Sequence, residues 1–289
     1  MLNIQELKGN APVTTEQYRE LQDAVVVTAR RNVAMARSLV SPIGPLGIGV
    51  QQYSFDKLTE VADAIISYAF TTGSEDIVDL TRSNVKVPVL EKKFRIGRRD
   101  LASSTRTGTP LDTSTAESCA YKVSYAFTDM ILQGWTADGS NYDINGLYQS
   151  ANNDYSTGKD FGTAGNAITA VAGGMALLMA DNIMPAYNLT LNPVQYAELA
   201  GSVHTGGLLE FERVKNMIGG DVFVSPFVTA GTGMLTAHPS QGTLKVAFAQ
   251  DITTETWQDA DTKDTLGRVF MACVPIIYDT NAICKLSSI

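Results

Sequence analysis

The side chains that could carry out chemistry are few in this chain of 289 residues, and they lie far apart along it. The two histidines are His204 and His238, and neither stands at a motif spacing from a cysteine or serine that it could activate as a nucleophile. The sequence contains neither a Walker A loop nor a dinucleotide-binding fingerprint. We therefore expect no enzymatic activity and no cofactor.

The three cysteines are best interpreted as buried thiols. Cys119, Cys273 and Cys284 stand at irregular spacing, which is typical neither of a disulfide framework nor of a metal-binding set. Cys119 falls within a predicted helix and the other two fall within strand-like runs. A free thiol in such a position behaves as a small apolar side chain.

An acidic segment from Asp259 to Asp264 superficially resembles a calcium-binding loop. Counted from Asp259, the fifth position is Lys263, and the sixth is Asp264 where a calcium loop requires glycine. The twelfth position is Phe270, where a bidentate glutamate is needed. We therefore interpret the segment as an acidic turn between two strands and predict no metal site.

Charge is distributed unevenly along the chain. The net charge is −8, which argues against a dedicated nucleic-acid-binding protein because phosphate contacts need an excess of lysine and arginine. Residues 82–106 nevertheless hold eight basic and two acidic residues, a net charge of +6. The basic residues are Arg82, Lys86, Lys92, Lys93, Arg95, Arg98, Arg99 and Arg106. Three interpretations remain open: a solvated strand face, a contact with an acidic neighbouring subunit, and an inner surface that faces a polyanion.

Nothing in the sequence predicts contact with a membrane. Residues 1–10 lack the apolar core of a signal peptide. The longest uncharged stretch with a helical pattern, Asn166–Ala180, is too short to span a bilayer. We expect a soluble intracellular protein.

The central part of the chain predicts a strand followed by a long helix. Val85–Ile96 reads as a strand, and Gly97–Asp112 as a polar turn region. Ser114 and Glu117 form a capping-box pattern at the start of a helix that runs to about Gln133. Its apolar positions recur at helical spacing, at Ala116, Ala120, Val123, Phe127, Met130 and Ile131.

The N-terminal part predicts an arm, a helix and a long excursion. Residues 1–12 read as an arm that a neighbouring subunit must order. A helix follows from Thr14 to about Val40, where Pro42 disfavours its continuation. Residues 51–96 predict an extended two-stranded excursion, which is marginally stable alone and therefore needs a surface to lie on. A capping box opens the helix at Thr14–Gln17, and Arg30, Arg31 and Arg37 lie on it.

The C-terminal part predicts an inserted α/β unit followed by returning strands. Residues 135–165 are rich in glycine, asparagine and aspartate and read as a loop. From residue 166 to about 250, helical and strand-like patterns alternate. Further strands are predicted at 252–257, 268–276 and 282–286, and we expect all three to return to the first domain.

The order of these parts resembles the HK97-type shell fold shared by the major capsid proteins of tailed viruses and by encapsulins. The resemblance extends from Ala11 to Leu286. Four groups of residues carry it: the turn Gly44-Pro45-Leu46-Gly47, the helix-closing set Asp129, Gly134 and Gly146-Leu147, the strand and helix start Tyr187–Tyr196, and the return at Phe248–Asp251.

The resemblance implies an α+β fold with a defined division of the chain. Residues 1–50 would form the N-terminal arm and helix, and residues 51–96 an extended loop that lies on a neighbouring subunit. Residues 97–165 and 251–289 would form a peripheral domain built on the long helix. Residues 166–250 would form an axial α/β domain that packs around the symmetry centres of the shell.

Within that fold, some residues are more similar to viral capsid proteins than to encapsulins. The encapsulin segment at residues 98–103 is replaced by Arg-Arg-Asp-Leu-Ala-Ser, and Arg99-Asp100, Arg106-Thr-Gly108 and Leu111-Asp112 have a viral character. The resemblance therefore favours a major capsid protein of a virion, assembled in the host cytoplasm and enclosing double-stranded DNA. The alternative is an encapsulin compartment that houses a cargo enzyme, with the N-terminal helix as the cargo-docking element.

The partners that this interpretation implies are mainly further copies of the chain. Copies would form pentamers, with or without hexamers, in a closed shell, and portal or decoration proteins are further partners of a viral shell. Packaged DNA would be bound without sequence readout through cations on the inner surface. Candidate assembly or interior residues are Arg30, Arg31, Arg37, Arg98, Arg99 and Arg106.

Overall fold

A computed structural model describes residues 13–58, 66–68, 80–107, 113–137, 143–156, 158–203 and 207–289. The predicted N-terminal arm, residues 1–12, lies outside the described residues. So do residues 59–65 and 69–79 of the predicted excursion, His204, and the side chains of Arg30 and Arg31.

The described residues form seven α-helices and thirteen strands. The helices are α1 (Thr15–Leu39), α2 (Arg98–Thr107), α3 (Ser114–Leu132), α4 (Leu147–Ser150), α5 (Asn166–Ala180), α6 (Pro193–Gly201) and α7 (Glu210–Ile218). The strands are β1 (Ser41–Ile43), β2 (Gln52–Leu58), β3 (Leu80–Lys86), β4 (Val89–Ile96), β5 (Gly134–Trp135), β6 (Ile144–Asn145), β7 (Asn153–Ser156), β8 (Tyr187–Leu191), β9 (Val222–Val224), β10 (Thr232–Ala237), β11 (Leu244–Gln258), β12 (Thr265–Ile277) and β13 (Ile283–Ser287).

Two sheets organise two buried clusters. The first sheet has the order β1-β11-β12-β4, and its cluster is built with the apolar faces of α1 and α3. The second sheet has the order β7-β13-β10-β8-β9, and its cluster is built with α5, α6 and α7. Among the described strands, β2 and β3 pair with each other and with no third strand, and they form an arm that leaves the first sheet.

The two long helices form where local signals predict them. In α1, the Thr14 side chain accepts from the Gln17 backbone N–H at 3.2 Å, and the Gln17 side chain accepts from the Thr14 N–H at 3.1 Å. This confirms the capping box. Every apolar position predicted for the buried face of α3 is buried, which confirms that helix as well.

The start of α3 differs in detail from the prediction. The N-cap residue is Thr113 and not the predicted Ser114, and the Thr113 side chain makes no capping bond to the backbone. The hydroxyl of Thr113, one residue earlier, donates instead to the Glu117 carboxylate at 2.7 Å. The two side chains therefore meet each other and leave the backbone donors of the first turn to other partners.

The predicted strand and turn before α3 are also wrong in part. The run from Val85 to Ile96 is divided between β3 and β4, because Pro88 cannot donate to a strand ladder. Residues 98–107 are not a turn but the helix α2, of which Leu101 and Ser104 are buried. These two residues are three positions apart and therefore lie on one face of the helix.

The C-terminal strands differ from the prediction in two ways. The strand expected at 252–257 begins earlier, at Leu244, and forms the long strand β11, whose register shifts at Gln250 accommodate the polar residues near its middle. The last strand, β13, does not return to the first sheet. It pairs with β10 and β7 in the second sheet, where Cys284 and Leu286 are buried.

Candidate functional site

The side chains suited to catalysis are used for structure. Cys119, Cys273 and Cys284 are free and buried, as expected. Burial raises the pKa of all three thiols, that of Cys284 to about 12, so none is a ready nucleophile. Among the described residues, no three His, Cys, Asp or Glu side chains are close enough to hold a metal ion.

Arg37 is engaged within its own chain. Its guanidinium forms an ion pair with Asp251 and lies 4.9 Å from the centre of the Phe248 ring. Both partners belong to β11, so Arg37 fastens the end of α1 to the first sheet. Because the charge is already paired, Arg37 is a poorer candidate for contact with a polyanion than the sequence predicts.

The structure brings Arg98, Arg99 and Arg106 together on one helix, α2, where all three are exposed. Lys92 and Lys93 are also exposed, on the preceding strand β4. The basic segment of the sequence is therefore divided among the arm, β4 and α2, and the three arginines of α2 form its basic helix.

The acidic turn between β11 and β12 lies against the start of α2. Asp264 accepts from the Arg98 backbone N–H at 2.8 Å and from Arg95 Nε at 2.7 Å. These two contacts lower the pKa of the Asp264 carboxyl, and the hydrogen bond from the Arg98 backbone N–H has the larger effect. Asp259 accepts from the Asp261 N–H at 3.2 Å and from the Thr262 hydroxyl at 2.7 Å. The carboxylates of Asp259 and Asp264 thus shape the turn and anchor it.

The β2–β3 arm exposes apolar side chains to solvent, and this exposure does not stabilise an isolated subunit. Ile66 and Tyr68, which lie between the two strands in sequence, are fully exposed, and Leu80 at the start of β3 is 65% exposed. The described polar contact within the arm pairs Arg82 with Asp56 at 2.9 Å on its surface. A two-stranded arm with exposed apolar residues indicates a surface that another copy covers.

A groove of about 970 Å³ lies at the base of this arm. It runs between β3 and β4, the exposed face of α3, and the β5–β6 hairpin, and Trp135 stands half-exposed at its side. Asp129 of α3 lines it, and partial burial raises the pKa of that carboxyl. The groove adds a second apolar surface beside the arm.

The glycines that close α3 are required by close packing of the backbone. Gly134 adopts a φ of +88°, in the left-handed region where glycine is favoured. A Cβ added to Gly146 would lie 2.3 Å from the backbone nitrogen of Gly134 and 2.7 Å from the carbonyl oxygen of Leu132. Gly146 is thus the position at which the β5–β6 hairpin touches the end of the helix.

Comparison with known proteins assigns the chain to a family. The family model described as "Encapsulating protein for peroxidase" (Linocin_M18) matches residues 5–266, nearly the whole chain. The chain belongs to this family. It is a self-assembling shell protein of the encapsulating-protein family, which is a family of structural proteins and not of enzymes.

Two relatives of this encapsulating protein are themselves shell proteins. The chain is 27% identical over 281 residues to the diheme-cytochrome-encapsulin shell fusion protein of Kuenenia stuttgartiensis, covering 97% of this chain and 75% of that protein. It is 22% identical over 275 residues to the type 1 encapsulin shell protein EncA of Myxococcus xanthus, covering 95% and 93% of the two chains.

Solved structures confirm the HK97-type α+β fold of the encapsulating protein. The virus-like particle from Pyrococcus furiosus matches with a TM-score of 0.64 at 17% identity, covering 94% of this chain and 100% of that one. The capsid of Myoviridae phage XM1 matches with a TM-score of 0.63 at 9% identity, covering 89% and 92%. At these identities the likeness shows the fold alone.

No helix within the described residues is both long and apolar enough to cross a membrane.

Sequence reasoning missed α2 and the pairing of Arg37. Arg37 and Asp251 are 214 positions apart, and no local pattern joins them. The one available signal for α2 was the spacing of Leu101 and Ser104 between an acidic first turn at Asp100 and a basic last turn at Arg106, which suits the helix dipole.

Proposed function

We propose that copies of this chain assemble into a closed icosahedral compartment that houses a cargo protein inside the cell. The observation that carries the proposal is the family match over residues 5–266, supported by relatives described as encapsulin shell proteins. This is the interpretation that the sequence placed second, after a viral capsid.

The structure supports assembly through several separate surfaces. The exposed apolar arm, the groove at its base and the basic face of α2 occupy different parts of the described chain. One subunit contact of ordinary size is only moderately strong, but a shell repeats each contact many times and gains stability by multivalency. We keep the division into an N-terminal helix, extended loop, peripheral domain and axial domain as part of this proposal, with β7 and β13 assigned to the axial sheet.

The cargo-docking element that the resemblance implies is the N-terminal helix. One side of α1 is fixed by Tyr18, Leu21 and Val25, which are buried in the first cluster. The opposite side exposes Glu20, Asp23 and Val27, and therefore remains available to a cargo segment.

The viral interpretation remains the second candidate because of the exposed arginines of α2 and the fold shared with phage capsids. It would require packaged double-stranded DNA, a location in the virion, and portal or decoration proteins as partners. The acidic net charge and the named relatives favour the compartment instead.

The deciding experiment is to purify particles from the organism that encodes the chain. Negative-stain imaging should show closed shells of uniform diameter, and mass spectrometry should identify a co-purifying cargo protein. Absorbance before and after nuclease should show no protected nucleic acid. Protected nucleic acid without protein cargo would favour the virus, and a monomer or dimer under varied salt and pH would refute a shell of either kind.

A further inference from the structure

One end of the first sheet carries opposite charges side by side. There the β11–β12 turn, Asp259–Asp264, meets α2, Arg98–Thr107, and we name these two segments together the charged tip. The Asp264 side chain is only 11% exposed and binds both Arg95 and the Arg98 backbone N–H. This contact holds the acidic turn at a fixed distance from the basic helix.

Most charges of the tip are not neutralised within the chain. Asp264 is paired and Asp259 accepts hydrogen bonds from its own turn. By contrast, Arg99, Arg106 and Asp261 are exposed, and within the described residues none of them forms an ion pair. Within the described residues the tip therefore carries exposed, unpaired charges of both signs: α2 also holds Asp100, and the turn also holds Lys263, but the helix remains net basic and the turn net acidic.

The local stability of α2 does not explain why arginines occupy its first two positions. Arg98 and Arg99 occupy the first turn of the helix, where the positive end of the helix dipole disfavours cations. Neither side chain is buried, so neither contributes packing to the core. Their placement points to a partner outside the chain.

We propose that the charged tip is a contact between copies, in which the arginines of α2 in one subunit face the Asp261 turn of the next. Because the basic and acidic halves lie on the same end of one chain, rotation about an axis near the tip brings the basic half of each subunit against the acidic half of its neighbour. Such a head-to-tail contact closes into a ring where the rotation from copy to copy divides a full turn evenly, as it does about the symmetry axes of a closed shell. It rests on assembly of the shell and not on what the shell encloses.

A nucleic acid is a poorer partner for this surface. The turn that Asp264 anchors to α2 carries two further carboxylates, Asp259 and Asp261, which would repel phosphate at this end of the sheet. A second copy of the chain supplies both signs of charge in the matching arrangement, which is the electrostatic complementarity found at specific interfaces.

The test is a charge swap across the proposed contact. Arg99→Glu alone and Asp261→Arg alone each place like charges opposite one another and should lower the particle fraction several-fold by size-exclusion chromatography. The double variant restores an opposite pair at every contact and should recover most of the particle fraction. Lys159→Glu, an exposed charge change elsewhere, is the matched control and should assemble normally.

The outcomes separate the contact from the proposed function. A double variant no better than the weaker single variant, with every variant folded by circular dichroism, would overturn the contact, as would normal assembly of Arg99→Glu. Normal assembly with less nuclease-protected nucleic acid would show a polyanion surface instead. If the wild-type chain forms no particles at all, the shell itself is refuted together with the contact.

Discussion

At the scale of single residues, Asp264 is the side chain on which the charged tip depends. Its carboxylate is nearly buried and receives the Arg98 N–H and the Arg95 guanidinium. These contacts favour the ionised form and lower the pKa of the carboxyl. A lowered folded-state pKa means that the carboxylate stabilises the fold above the ordinary pKa range of aspartate. That contribution is lost as the pH falls through the lowered value.

We therefore expect Asp264→Asn to lower the free energy of unfolding at pH 7, and the difference from wild type to shrink as the pH falls below about 4. Urea unfolding of dissociated subunits at both pH values measures this difference. Asp261→Asn, in the same turn but without a contact to α2, is the control and should change little at either pH. A difference from wild type that is independent of pH would contradict the assigned role of the charge.

At the scale of elements, the closure of α3 depends on the backbone contact between Gly134 and Gly146. The helix, the β5–β6 hairpin and α4 meet there, and there is no room for a side chain. Packed backbone cannot move aside as a flexible side chain can, so an added methyl group must displace the hairpin or the helix end.

Gly146→Ala should lower the free energy of unfolding by about 1–3 kcal/mol, the usual cost of overpacking. Gly201→Ala is the matched control, because a Cβ at that position would have no atom within 4 Å. Denaturant unfolding of both variants provides the measurement. Equal free energies of unfolding for the two variants would show that the β5–β6 hairpin moves to accommodate the methyl group without loss of stability.

Elements with strong local signals could be predicted from the sequence, and those set by distant contacts could not. Helix α1 is opened by Thr14 and Gln17 and α3 is marked by its apolar spacing, so both were predicted correctly. The sheet to which β13 belongs depends on pairing with β10 and β7, which its own apolar residues do not encode. The basic segment was recognised from its composition, but its position beside the acidic turn depends on Asp264, which is 166 positions from Arg98.

At the scale of the whole molecule, the β2–β3 arm belongs more to the assembly than to the subunit. Its base contributes Phe55 to the first buried cluster, whereas the described residues between its two strands, 66–68, are exposed. Leu58 and Leu80 are partners in the strand register, so a two-residue turn could join them directly.

Replacing residues 59–79 by Asn-Gly should leave the subunit folded and abolish particle formation, because the long-range tie between subunits is removed. Urea unfolding reports the first effect, and size-exclusion chromatography with negative-stain imaging reports the second. A Gly-Ser linker of the original length tests whether sequence or reach matters. Normal particles from the shortened chain would show that the arm is not required for assembly.

The long hairpin of the first sheet has a mechanical consequence. Strand β11 has fifteen residues, which span about 50 Å, and the antiparallel strand β12 continues through a short 3₁₀ turn into β13 of the second sheet. Strand β11 is likewise preceded by β10 of the second sheet, through the 3₁₀ turn Pro239–Gln241. A force applied at the turn end of the hairpin is therefore carried lengthwise along both strands and reaches the second sheet at two strands that pair with each other, β10 and β13. The hairpin thus acts as a two-stranded strut between the sheets.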